Sequence, residues 1–193
     1  MPQTHKIMLL EPEYRLRLGL KSALKSAGHE ICCESASLQE ALPLLSARQP
    51  ELLLVAEAEG FHGLEFSRSF LKGMPVAVIL MAGELGREQA VLAAEAGLYA
   101  FLPRPVEPVM LLPSVEIACQ RFREKLDLSQ QTEELRDLLA LRKTLDQAKG
   151  ILMSKHHMSE QEAHRRIQRY AMHKRLTVKS VAEAIIKATG GTR

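Results

Sequence analysis

The chain has 193 residues, 46% of them hydrophobic, and a formal net charge of +3, which is room for one ordinary domain plus a smaller one. No run approaches the roughly 18 to 20 uncharged apolar residues that span a bilayer. The apolar run before Glu11 is too short for a signal peptide, so membrane and secreted classes are set aside and a cytoplasmic protein is expected.

Three cysteines, Cys32, Cys33 and Cys119, suggest neither a disulfide framework nor a metal site. Cys32 and Cys33, adjacent on a strand, are expected to point to opposite faces. The charge is uneven. Residues 1–118 hold 10 Lys and Arg against 14 Asp and Glu, and residues 119–193 hold 16 against 9. An acidic first part and a basic second part imply different partners.

In chain order, "HKIMLL" is a short apolar run, and "YRLRLGLKSALKSAG" follows at helical spacing, closed by Gly28. "HEICCE" reads as strand, "LQEALPLLSARQ" as helix and "ELLLVA" as strand. "GLEFSRSFLKG", "MPVAVILMA", "GREQAVLAAEAG" and "LYAFLP" continue the alternation. Such alternation implies right-handed βαβ units and a parallel sheet covered on both faces.

With "PELLLVA…GLEF" and "FLPRP", this order resembles the receiver domain of two-component response regulators, over about residues 5–120. The resemblance implies a flavodoxin-like (βα)5 fold with its pocket at the carboxyl ends of the strands. In that family two acidic residues hold Mg²⁺, an Asp accepts phosphate, and a hydroxyl residue and a Lys complete the site. Here Glu11 matches the first acid, but Pro12 stands at the second. Ala56 stands at the phosphoacceptor position, Met81 at the hydroxyl and Arg104 at the lysine. Residues 1–118 contain no Asp.

Aspartyl phosphorylation needs a carboxylate nucleophile beside a metal, and Glu57, one step along the strand from Ala56, is expected on the other face. A pseudo-receiver controlled by a partner, such as a sensor protein, or by a ligand is the expectation. Arg104 has two readings: a cation paired with Glu11, or a surface arginine.

From Val106 the pattern is helical up to Gly150, with Pro108 suited to a first turn and Pro113 expected to kink or end a first segment. Leu128, Leu135, Leu138, Leu145 and Leu152 share one heptad register, interrupted by Gln131, Arg142 and Lys149. That is the seam of a modest parallel coiled coil and predicts a homodimer. A helix packed on its own receiver-like domain is the alternative.

After the break at "KHHM", Ser159 and Glu162 form a capping box. Ala163, Ile167, Tyr170 and Ala171 make the apolar stripe of the next helix, which puts Tyr170 in the core. His164, Arg165, Arg166, Arg169 and His173 occupy the other face. A third helix is expected from Thr177, burying Val178, Val181, Ala182, Ile185 and Ile186.

"AKGILM", followed by "SEQEAHRRIQRYAMHKRLTVKSVAEAII", is similar to the ANTAR domain, the RNA-binding module of transcription antitermination regulators. The whole order resembles the amide- and nitrate-responsive antiterminators. The expected divisions are a receiver-like domain over 1–120, a coiled-coil helix over 121–144 and an overlapping three-helix module over 130–193. The resemblance implies a dimer on stem-loops of leader RNA that favours an antiterminated structure.

The candidate RNA-binding residues are Arg142, Lys149, Gly150, Lys155, Arg165, Arg166, Arg169, Lys174 and Arg175. Clustered cations release counterions from phosphates, and arginine also stacks on bases. Between Arg142 and Lys187 there are 11 basic and 4 acidic residues. Arg142 and Lys149, two turns apart, share one face. Ala148 and Gly150 are small enough to admit a nucleic-acid backbone or a neighbouring helix. His156 and His157 read as loop residues, since no Cys or carboxylate lies at ligand spacing. No cofactor, metal or enzymatic activity is expected. Two rival readings remain: a DNA-binding regulator, since three helices with a basic face also describe helix-turn-helix proteins, and a phosphorylation-independent protein-interaction module.

Overall fold

A computed structural model describes residues 3–70, 73–83 and 86–190. Met1 and Pro2 of the expected first domain, Leu71 and Lys72 of the expected third helix and residues 191–193 of the C-terminal module lie outside the described residues. The chain divides into two compact units, Met1–Leu126 and Asp127–Arg193.

The first unit is a parallel sheet of β1 (Lys6–Leu10), β2 (Glu30–Ser35), β3 (Leu52–Ala58), β5 (Ala77–Ala82) and β6 (Ala100–Pro103), in the order β2-β1-β3-β5-β6. A two-residue strand β4 (Phe61–His62) turns back antiparallel on β3. Helices α1 (Tyr14–Ser26), α2 (Ala41–Arg48), α3 (Gly63–Phe70) and α4 (Arg87–Glu95) make the crossovers. The parallel sheet is the one expected from the alternating pattern, and its order is the flavodoxin-like one that the receiver resemblance implies. Every residue of β5 is buried, as a central parallel strand covered on both faces requires.

Two local features depart from a plain strand reading. The register between β1 and β2 shifts: Ile7 pairs Ile31 but Met8 pairs Cys33. The irregularity breaks the alternation, so Cys32 and Cys33 do not diverge to opposite faces. Their sulfurs lie 3.8 Å apart, and burial, followed by its neighbour Cys32, pushes the Cys33 thiol up to about 12. At the start of α3, a Cβ on Gly63 would stand 2.0 Å from the Ala56 carbonyl oxygen. Only glycine lets the helix begin this close to β3.

At the amino ends of the strands, His5 and His29 are buried and stacked with centroids 5.4 Å apart. His5 Nδ1 lies 3.1 Å from Glu51 and its Nε2 lies 3.3 Å from Glu116. Arg123 reaches both His5 Nδ1 and Glu51.

Helix α5 (Pro108–His156) contains Pro113, so of the two expectations, a kink or an end, the helix does not end there. The bond Pro113 cannot donate would go to the carbonyl of Val109, in an exposed first turn where water can satisfy it.

In the second unit, the end of α5 packs with α6 (Glu160–Lys174) and α7 (Val178–Gly190). The capping box is formed: the Glu162 amide donates to Ser159 Oγ at 3.3 Å, and the Glu162 carboxylate accepts from the Ser159 amide at 2.8 Å. Thr177 caps α7 by accepting from the Ser180 amide. The core consists of Ala148, Ala163, Ala171 and Ala182 with Leu152, Ile167 and Val181. Four alanines among seven buried residues let the helices approach closely.

Candidate nucleic-acid interface and the receiver-like pocket

Glu11 closes β1 and is 1% exposed. Its Oε1 accepts from Arg104 at 2.7 Å and from the Glu13 amide at 3.0 Å. Burial raises the Glu11 carboxyl above its ordinary range, and the Glu13 amide and Arg104 pull it back down. Of the two readings of Arg104, the geometry is that of the paired cation. Pro12 follows Glu11 at the strand end, while Ala56 and Met81 are buried and directly paired across β3 and β5. Glu57 is committed elsewhere, accepting from the Leu64 amide at 2.7 Å at the start of α3. A carboxylate there complements the helix N-terminus.

In the second unit the nominated cations fall into two groups. Arg142, Lys149 and Gly150 line a depression of about 610 Å³ with Asp146 and Glu160. Lys149 is ion-paired with both of these carboxylates. Its Nζ lies 2.6 Å from Glu160 and 2.8 Å from Asp146. The hydrogen bonds that Lys149 donates to Asp146 and then to Glu160 hold its ammonium above its usual value. Arg142 is exposed, 3.9 Å from Asp146. Ala148 is fully buried, so the close approach it permits is between helices. An added Cβ at Gly150 would meet nothing.

The second group is Arg165, Arg166 and Arg169, which line a depression of about 460 Å³ on α6 with Met158 and Glu162. The three arginines sit at i, i+1 and i+4, and all are exposed. Among the described residues no carboxylate lies within 4.0 Å of any of them. Glu162 is occupied by Ser159, whose amide holds its carboxyl below the usual range. Lys174 ends α6, and Arg175 closes it in the left-handed conformation at φ 53°. Both are exposed, as is Lys155 near the end of α5. His156 belongs to α5, and only His157 sits in the break, at φ 51°.

Sequence reasoning misplaced Tyr170. It is 52% exposed because the α7 side chains facing it across an apolar groove include Ala184 and Ala188, too small to cover the ring. The helical stripe could not reveal the size of its partners. The Asp146–Lys149 pair was legible from its i,i+3 spacing; the contribution of Glu160 was not.

The receiver-type sheet, the unbroken α5 and the three-helix unit together define a response-regulator-like protein with a helical second unit. Residues 133–186 match the ANTAR domain model. The chain belongs to the family of the transcriptional regulatory protein PdtaR of Mycobacterium tuberculosis, to which it is 31% identical over 186 residues, covering 96% of this chain and 91% of that one. It is also 29% identical over 127 residues to the aliphatic amidase regulator of Pseudomonas aeruginosa, covering 65% of this chain and 64% of that one. The signal receiver domain of a modulated diguanylate cyclase from Desulfovibrio desulfuricans G20 is similar in fold, with TM-score 0.58 at 18% identity, covering 64% of this chain and 99% of that one.

Proposed function

We propose that this chain is a non-enzymatic, RNA-binding antitermination regulator that acts in the cytoplasm on stem-loops of leader transcripts. The observation that carries the reading is the row Arg165–Arg166–Arg169, exposed inside the ANTAR match and, among the described residues, without a carboxylate within 4.0 Å. Such a row supplies phosphate affinity through counterion release, and an unpaired loop gives it bases to read.

The active form is a homodimer joined along α5, where Leu128, Leu135 and Leu138 are all more than 60% exposed and share a heptad register. The receiver-like unit is regulated by a protein partner or a ligand instead of by aspartyl phosphate, since Ala56 offers no carboxylate to accept phosphate, Met81 no hydroxyl to bind it, and Glu57 is tied to α3.

Gel-shift titration of the full chain with stem-loop RNA and duplex DNA at matched salt tests this. Tighter binding to the stem-loop is expected, and Arg165→Glu should weaken it by about 1 to 3 kcal/mol while lowering the salt slope by about one. Preference for the duplex would overturn the reading in favour of a DNA-binding regulator.

A further inference from the structure

Beside the arginine row runs a groove of about 300 Å³ between α6, α7 and the end of α5, lined by Leu152, Ile167, Tyr170, Val181 and Ile185, with Arg166 at its lip. Tyr170 is 52% exposed and lines this apolar groove. Arg166 lines both this groove and the neighbouring arginine-lined depression, so the two are adjacent. An apolar slot carrying an aromatic face, bordered by cations, matches a single nucleotide: a flat base with an anion attached.

We propose that the groove receives one unpaired nucleobase from an RNA loop, stacked on Tyr170, with the flanking phosphates on Arg165, Arg166 and Arg169. This rests on the RNA-binding reading above and specifies how that RNA is held. Charge decides the occupant. A second copy of this chain would bring its own arginine row against this one, whereas a polyanion is attracted to it. The base must be unpaired, because a duplex keeps its bases stacked inside the helix and away from side chains. Stacking on an aromatic ring tolerates any base, so the slot contributes affinity for single-stranded loops as a class, and discrimination among bases comes from contacts at its rim.

The test uses the full-length protein and a pool of stem-loop RNAs with one fixed stem and a randomised loop. The hairpin enriched by the wild type is remade with 2-aminopurine at each loop position in turn. One position is expected to be quenched on binding and to crosslink to Tyr170. Tyr170→Leu, which preserves apolar bulk but removes the ring, should lose about tenfold in affinity with its salt slope unchanged. Tyr170→Phe should restore binding. An abasic residue at the quenched position should cost the wild type about as much and cost Tyr170→Leu nothing further.

A wild type that enriches no stem-loop would overturn the RNA-binding reading and the slot with it. A wild type that binds its hairpin as tightly as Tyr170→Leu does would overturn the slot alone. So would a Tyr170→Glu variant whose only change is in sedimentation, which would make the groove a protein interface. Unchanged thermal melting of Tyr170→Leu establishes that the half-exposed ring was not needed for folding.

Discussion

The Nζ of Lys149 on α5 lies 2.6 Å from Oε1 of Glu160 on α6. The ammonium joins two helices of the three-helix unit and is held at 2.8 Å by Asp146 as well. Two carboxylates therefore mask one of the cations that the sequence offered to RNA. Replacing Glu160 with Gln, which leaves Asp146 in place, should unmask it in part. The variant should bind stem-loop RNA more tightly at low salt, with a salt slope steeper by about one. Weaker binding would mean that the ion pair serves mainly to position α6.

Ala56 leaves the receiver-like unit without a carboxylate at that point of β3, and the Glu57 carboxylate accepts from the Leu64 amide at the start of α3. Incubation with acetyl phosphate and Mg²⁺ should leave the mass of the intact chain unaltered. A stable phosphorylated species would refute control by something other than aspartyl phosphate.

The Glu11–Arg104 pair is nearly buried, with the arginine side chain 15% exposed and the glutamate 1%. Arg104→Met strands the carboxylate, and breaking such a pair costs roughly 3 to 5 kcal/mol at neutral pH. Burial already raises Glu11 above 4.5, and Arg104 opposes that rise, so the variant raises it further. A carboxyl raised on folding contributes stability below its unfolded value that is lost as pH rises through the folded value. The gap between wild type and variant in urea denaturation should therefore close as the pH falls towards 4.5. A gap independent of pH would argue that lost packing, not charge, is responsible.

The mid-portion of α5 exposes Leu128, Leu135 and Leu138. If they form the seam of a two-stranded coiled coil, Leu135→Glu should convert a dimer to a monomer in sedimentation equilibrium and weaken stem-loop binding. A wild-type chain that sediments as a monomer would end this assignment.

His29 is buried against His5, and burial followed by the neighbouring imidazole lowers its value below 6.5. The groups facing the pair are Glu51, Glu116 and Arg123. The unfolded chain takes up a proton near 6.5 that the folded chain resists, so stability is complete above that pH and declines below it. The urea midpoint should fall as the pH drops through 6.5. His29→Asn keeps an acceptor for the His5 amide, which donates to His29 Nδ1 at 3.3 Å, and should flatten the decline. An equally steep decline would place the titration elsewhere.

The order of elements was readable because its signals are local. Apolar runs at strand length alternate with helical stripes, and the Ser159–Glu162 capping box marks where α6 begins. Hydrophobic periodicity follows directly from backbone geometry. The substitutions at Ala56, Met81 and Arg104 were also visible in the chain itself. Tertiary structure decided which side chains face one another. The small residues of α7 leave Tyr170 uncovered, Glu160 claims Lys149 across eleven positions, and a register shift brings the two sulfurs of Cys32 and Cys33 together. Helical or strand spacing specifies the direction a side chain leaves its own backbone. The size, charge and distance of whatever lies opposite depend on how separate segments pack, and only folding sets those.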